Sequence, residues 1–468
     1  MRTTKRIEAM KRVEAIGVFA LLSLLTGLAA GCAGGSGKGS TVTTSQSSPR
    51  TYFAAAVAGE NPDNIDSSLS LATYTIDDTA DTFAQFTYSF TGTQEGPQMN
   101  YSGSTTALSR GLLSLGIDFS SGAFGKSYPT GNFAIELAGQ AGGLVNLQGM
   151  PFVPLVAAQD CPSFTTTQTF QFVSIPPWNP LDTAYGRVDI STSGSTVTFN
   201  NIQQFTSTGS QVTSYPDLTN NPSAITSTTG ACSSTFYGNT VSVPNPLTIT
   251  NPGVGQSVTP GAIVGIGPSN LLVEANKSYG SEAGNSSTSG YQPFLGAGTG
   301  AMGLPQPSSP FSSTSINALT GAQYLGVFWG SGSVHDWSSL VASFGFPSLL
   351  SSCASIIPPG VTLTNPIYGG DFPDNNPGSA AVQANGGYGN CDFVIDLGAQ
   401  DSANNGLFPK SIVYVGPGFP INTTKSTYSF NATAIAGQLN GKFAIFLIGV
   451  DTTGTPNQTW GIYLLQSN

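Results

Sequence analysis

The chain has 468 residues, 14 of them basic and 24 acidic, for a net charge of −10 with only 8% of residues charged. No basic stripe is present to neutralise phosphates, so nucleic acid is excluded as a partner. A 39% hydrophobic and 10% aromatic content is enough to build a core, which excludes a disordered acidic chain.

Arg2, Lys5, Arg6, Lys11 and Arg12 precede an uncharged run, Ile16-Gly-Val-Phe-Ala-Leu-Leu-Ser-Leu-Leu-Thr-Gly-Leu-Ala-Ala30. A basic flank before an apolar stretch of this length is the pattern of a signal peptide, and the stretch is short for a membrane span. It ends in Leu28-Ala29-Ala30-Gly31-Cys32. These residues resemble the lipobox of bacterial lipoproteins, in which small residues precede a cysteine that is lipidated and becomes the new N-terminus. The usual apolar residue three places before the cysteine is Ala29 here, with Leu28 one place further back. The resemblance implies cleavage after residue 31, acyl chains (palmitate among them) on Cys32, and a membrane as partner through that anchor. Ala33, not Asp, follows the cysteine, which by analogy with Gram-negative sorting implies the outer membrane of the cell envelope. Acyl chains bury methylenes at about 0.8 kcal/mol each, and stable anchoring needs more than one chain.

Residues 33–50, rich in Gly, Ser and Thr, are expected as a flexible tether. The expected organisation is therefore 1–31 signal peptide, 32–50 tether from the lipidated residue onward, 51–160 an N-terminal β unit, and 161–468 a C-terminal β unit with long loop insertions. Without residues 1–31, nine basic and 22 acidic residues remain, a net charge of −13.

Strand signals dominate from residue 51. Thr51–Val57, Leu69–Ile76, Phe83–Phe90 and Leu112–Phe119 alternate or run apolar over strand lengths. Tyr185–Ser191 and Ser195–Phe199, joined at Ser193-Gly194, read as a hairpin. Short helices are expected around 338–350 and 431–438 at most. An apolar strand bounded by Gly recurs at Gly131–Gly139, Gly321–Gly330 and Gly441–Gly449, which suggests a repeated meander. Polar segments rich in Pro, Ser, Asn and Gly fill 206–260, 278–320 and 351–390, and loops of that length are where a partner would bind. The expected fold is all-β: antiparallel meanders closed into two barrel-like units, or alternatively one propeller-like ring, with long polar loops. Closure removes the edges that so many strands would otherwise expose.

Four cysteines follow Cys32, and in an oxidising compartment an even number points to disulfides. Of the three pairings, the expected one is the nearest in sequence, Cys161–Cys232 with Cys353–Cys391. Zinc is disfavoured, because there is no Cys-x-x-Cys and only one His.

Chemistry is sparsely signalled. His335, the sole histidine, would have to serve any Ser-His-Asp hydrolase, but no Gly-x-Ser-x-Gly elbow accompanies it. Acidic clusters at Asp63 and Asp66, at Asp77, Asp78 and Asp81, and at Asp371 and Asp374 could supply a carboxylate pair, although turns favour Asp as well. Glu60–Asp66 and Asp371–Asn376 are dense in oxygen ligands without the spacing of a defined calcium loop, so Ca²⁺ is an alternative to having no cofactor. Trp178 and Trp337 stand in loop-like contexts and suit sugar stacking, whereas Trp329 and Trp460 sit in apolar strands and suit a core. Trp460-Gly-Ile-Tyr-Leu-Leu-Gln, Ile266-Gly-Pro-Ser-Asn-Leu-Leu-Val-Glu and Ala322-Gln-Tyr-Leu-Gly resemble segments of uncharacterised bacterial surface lipoproteins, a resemblance that brings no activity with it. The expected function is a non-enzymatic display or binding protein of the envelope with a protein or glycan partner outside the cell. The alternatives are a glycan- or small-ligand-binding lipoprotein and a secreted carboxylate-dependent hydrolase.

Overall fold

A computed structural model describes residues 49–54, 71–88, 98–107, 112–117, 133–136, 142–146, 153–157, 161–174, 183–214, 223–233, 240–244, 249–250, 257–258, 261–267, 269–276, 300–331, 337–344, 353–371, 393–416, 428–451 and 458–466. Ser45–Asn468 form one compact unit.

Three successive antiparallel meanders of eight strands each close on themselves. The first comprises β1 (Arg50–Ala54), β2 (Leu71–Asp77), β3 (Thr82–Tyr88), β4 (Gln98–Ala107), β5 (Leu112–Ile117), β6 (Phe133–Glu136), β7 (Gly142–Asn146) and β8 (Val153–Ala157). Pairing of β1 with β8 closes it. The second comprises β9 (Gln168–Ser174), β10 (Thr183–Ser193), β11 (Thr196–Thr206), β12 (Thr228–Ser233) and β13 (Thr240–Pro244). After a two-stranded hairpin, β14 (Ile249–Thr250) and β15 (Ser257–Val258), it continues through β16 (Gly261–Ile266), β17 (Leu272–Asn276) and β18 (Gly300–Pro305), which returns to β9. Helix α1 (Ser313–Gly321) then leads into the third: β19 (Tyr324–Ser331), β20 (Trp337–Phe344), β21 (Pro366–Asp371), β22 (Phe393–Asp396), β23 (Leu407–Val415), β24 (Tyr428–Leu439), β25 (Lys442–Asp451) and β26 (Gln458–Gln466). Pairing of β19 with β26 closes this one.

The all-β class and closure of meanders into barrels follow the sequence expectation. Among the described residues the barrels number three, where two were expected, because residues 161–468 hold two of them, and the described strands form no propeller. Arg50, expected to end the tether, is the first residue of β1. Residues 338–344 and 431–438, expected within short helices, are strand in β20 and β24, with 345–350 outside the described residues; α1 lies elsewhere, with Ser312 capping its N-terminus by accepting from Ser315 N. The Gly-bounded strands fall at β6, β19 and β25, the sixth, first and seventh strands of their barrels, so they do not mark one repeated position.

Strand alternation separates two kinds of core. On β26, Trp460, Ile462 and Leu464 point into the third barrel with Ile445, Leu447 and Phe430, whereas Tyr463 and Leu465 point out. The second barrel is filled by Phe170, Phe172, Val188, Phe199 and their neighbours. The outward residues of all three barrels meet in one further apolar cluster, which joins Ile135, Leu144 and Val156 of the first to Val173 and Met302 of the second and Phe446 and Tyr463 of the third. The barrels are thus fused through buried outer faces.

Because each barrel is an up-and-down meander, its connections fall alternately at two ends. At the end where β1, β9 and β19 begin, nine connections within barrels contain 59 residues and the two segments between barrels a further 28. At the other end, twelve connections contain 158. Asn440 and Gly441 form a two-residue turn at the short end, both with positive φ, as a type I′ hairpin requires. The short ends lie on one side of the molecule. The segments between barrels run from short end to short end, Gly142 at the short end of β7 abuts Leu271 in the β16–β17 turn, and Asn405 in the β22–β23 connection donates to the carbonyl of Pro307 just past β18.

Candidate functional site

Each barrel is corked at its short-turn end. In the first, Arg50 and Tyr52 lie two residues apart on β1 and so share its inward face. Arg50 is 2% exposed. Its Nε and Nη2 donate to Glu136 Oε1 and Oε2, both at 2.9 Å. Nη2 also donates to Asp78 Oδ1 at 2.9 Å, and Nη1 to Asp78 Oδ2. Tyr52 donates its hydroxyl to Glu136 Oε1. Burial opposes the charged guanidinium, but its hydrogen bonds to Asp78 and Glu136 outweigh that and push the Arg50 pKa up. Burial, reinforced by the charge of Glu136, raises Tyr52 well above the ordinary phenol value. The remaining acids of this cluster do turn chemistry: Asp77 Oδ1 accepts from the backbone of Thr79 and Ala80, and Asp81 takes a positive φ.

In the second barrel the cork comes from the segment that leads in. Cys161 is bonded to Cys232 at the short end of β12. Phe164 packs on Phe170 with ring centroids 6.2 Å apart, and its N–H donates to Thr192 Oγ1 at 2.7 Å. The third barrel is closed by Phe311, against Phe408 and Phe443, and by Leu319 of α1, whose carbonyl accepts from the Tyr324 hydroxyl at 2.6 Å. A buried carboxylate holds the β20–β21 connection in place: Asp396 accepts from the backbone N–H groups of Thr364, Asn365 and Gly398.

At the long-connection end of the third barrel, Tyr428 donates to the inward carboxylate of Asp451. Burial, followed by Asp451, raises the Tyr428 pKa. The indole N–H of Trp460 is buried there with no partner in hydrogen-bond geometry among the described residues, near enough to Tyr428 to offset a little of that rise. Phe328 and Phe430 flank the indole at 5.7 and 6.3 Å between centroids.

The structure brings few of the sequence-predicted residues together. Cys161–Cys232 forms as expected. Cys353 is buried and disulfide-bonded too, while Cys391 and Cys32 lie outside the described residues. So do Trp178, His335, Glu60–Asp66 and Asp374. Trp337, Trp329 and Asp371 are placed on β20, β19 and β21 by their backbones alone. Trp460 is 1% exposed, in the core position expected for it. Glu136 and Asp78 converge on Arg50 at the mouth of the first barrel. Arg50 fills the space between them that a glycosidic oxygen would have to occupy, so the pair is a salt bridge and not a hydrolytic dyad. No group of three or more His, Cys, Asp or Glu among the described residues is placed to hold a metal ion. Sequence reading missed the Arg50, Tyr52 and Glu136 cluster. Its signal was present: Glu136 is a single charge in the apolar strand Phe-Ala-Ile-Glu, the mark of a carboxylate that needs a buried partner.

No protein-family model matches the chain, and no curated protein matches it in sequence. Among solved structures it is similar to a double mutant of the vaccine antigen transferrin binding protein B of Haemophilus parasuis Hp5, at 9% identity and a TM-score of 0.27, over 86% of this chain and 66% of that one. It is also similar to the isotype 1 transferrin binding protein B of serogroup B Neisseria meningitidis, at 10% identity and a TM-score of 0.25, over 85% of this chain and 66% of that one. The chain thus spans just under two thirds of the length of each, and TM-scores this low give the likeness no weight for function.

Proposed function

We propose that the protein is a lipid-anchored, non-enzymatic component of the cell envelope that holds the long connections of three fused barrels toward a partner outside the cell. One observation carries the reading: the second and third barrels are filled by their own side chains while the chain places 158 residues in the connections at one end. An eight-stranded barrel either fills its interior or holds one small ligand. Filled barrels act as supports, and long connections on a rigid support are where recognition resides. The lipobox-like Leu28–Cys32 and the Gly/Ser/Thr tether supply the anchor. Trp178 falls in sequence between β9 and β10 and Trp337 opens β20, and the strand ends concerned lie at the same end, so a glycan partner would use the same surface as a protein partner.

The anchor is tested by Cys32→Ser. The variant leaves the membrane fraction and loses its fatty-acid label, while a protease added to whole cells continues to cut the anchored wild type. A variant that stays membrane-bound refutes the anchor. Wild type that is inaccessible on intact cells but cut after lysis refutes display outside the cell.

A further inference from the structure

We propose that the body stands on the membrane on its short-turn ends, so that the long connections of all three barrels face away from lipid. This orientation rests on the lipid-anchored reading. It is carried by where the chain enters the fold and by how firmly it is held there.

Residues 33–49 separate the anchor candidate Cys32 from β1. β1 begins at the short-turn end, and its first residue is the cork itself. Arg50 binds Asp78 in the β2–β3 turn and Glu136 at the end of β6, both at that same end. The tether therefore cannot lengthen by peeling β1 from the barrel without breaking a buried ion cluster. A Gly/Ser-rich coil of this length reaches about 20–25 Å on average. Strands of up to 12 residues, tilted as closed barrels require, make a body of about that height or more. With the short ends toward lipid, the tether has almost nothing to span. With the long ends toward lipid, it has to run the full height of the body.

Charge acts in the same direction. The twelve connections at the long end carry eleven acidic and three basic residues, net −8. The nine within barrels at the short end, with the two segments between barrels, carry four acidic and one basic, net −3. An anionic headgroup surface repels the first more than the second. Because the short ends share one side of the molecule, the second and third barrels take the same sense as the first.

The test uses the full lipoprotein in vesicles of phosphatidylcholine and phosphatidylglycerol that contain a lipid-borne energy-transfer acceptor. Ser195 and Thr208 are exposed residues just beyond the two ends of β11, at the short and long ends respectively. Ser195→Cys and Thr208→Cys are labelled with a donor dye under non-reducing conditions, and Thr79→Cys in the β2–β3 turn is a second short-end reporter in another barrel. Transfer to the lipid is expected to be at least twofold higher from positions 195 and 79 than from 208. Equal or reversed transfer in protein that floats with the vesicles overturns the orientation while leaving the anchor intact. Protein that fails to float overturns the anchor and the orientation with it.

Discussion

Arg50→Met tests whether the cork of the first barrel holds the fold together. The substitution keeps the length and apolar stem of the side chain and removes its charge and donors. Glu136, whose side chain is 8% exposed, then keeps only the Tyr52 hydroxyl. Breaking a buried ion pair by removing one partner costs about 3–5 kcal/mol. Asp78 is 51% exposed, so water replaces Arg50 there and that arm contributes less than about 1 kcal/mol. The expected loss is therefore about 3 kcal/mol, set almost entirely by Glu136. Arg50→Met combined with Glu136→Met removes both buried charges and should recover most of it, since replacing a whole buried pair by apolar groups of similar volume is close to neutral. Urea denaturation followed by tryptophan fluorescence, run on wild type, both single variants and the double, yields a coupling of about 2 kcal/mol or more. A single variant within 0.5 kcal/mol of wild type, or a double variant whose loss equals the sum of the singles, would refute the cork as a coupled buried pair.

Three further outcomes follow from the same contacts. Replacing Cys161 and Cys232 by Ser opens a loop of sequence separation 71 and should cost about 4 kcal/mol in the chain-entropy model, read as a lower urea midpoint; a midpoint within error of wild type contradicts it. Burial raises the phenols of Tyr52, Tyr324, Tyr428 and Tyr463. Their folded values exceed the unfolded one, so their contribution is complete below about pH 10 and is lost above it, at about 1.4 kcal/mol per tyrosine per pH unit. Denaturation at pH 9, 10 and 11 should show the midpoint falling steeply past pH 10 with tyrosinate absorbance appearing on unfolding, and a flat midpoint rejects this. Gly142→Val forces a Cβ to within 2.6 Å of the Leu155 carbonyl and 2.8 Å of Leu271, so it should destabilise the junction of the first two barrels by 2 kcal/mol or more, and wild-type thermal stability would contradict that contact.

What the sequence made legible was the part of the fold that alternates. The β10–β11 hairpin is apparent because one face of each strand meets water, so polar and apolar residues take turns. β24 is not, because from Ala432 to Ala436 both faces are buried, one inside the third barrel and one against the other barrels, and the run Ala-Thr-Ala-Ile-Ala, with no exposed face to alternate, imitates a short helix. The barrel count was obscured for a different reason. β12, β13, β18 and β21 lie in or against the polar stretches 206–260, 278–320 and 351–390, and segments such as Thr-Thr-Gly-Ala-Cys-Ser pair through their backbones with little apolar signal. β4, Gln-Met-Asn-Tyr-Ser-Gly-Ser-Thr-Thr-Ala, was overlooked on the same ground. The Arg50 cluster joins residues 28 and 86 positions apart, a distance at which local patterning carries no information.

The two ends of the molecule divide its chemistry. Three devices that fix the fold sit at the short-turn end: the Arg50 ion cluster, the Cys161–Cys232 bond, and α1 with Phe311. Of the described residues that the sequence singles out, Trp337 and Asp371 border strand ends at the other end, whereas Asp77, Asp78 and Asp81 stand at this one. Stability and recognition place opposite demands on a residue. A cork has to be buried and paired, whereas a contact residue has to be exposed and free to change. An up-and-down barrel can separate the two because its strand ends alternate, and fusing three barrels through their outer faces with their short ends on one side repeats that separation without exposing an edge. Substitutions in the long connections should therefore cost less stability than substitutions at the corks.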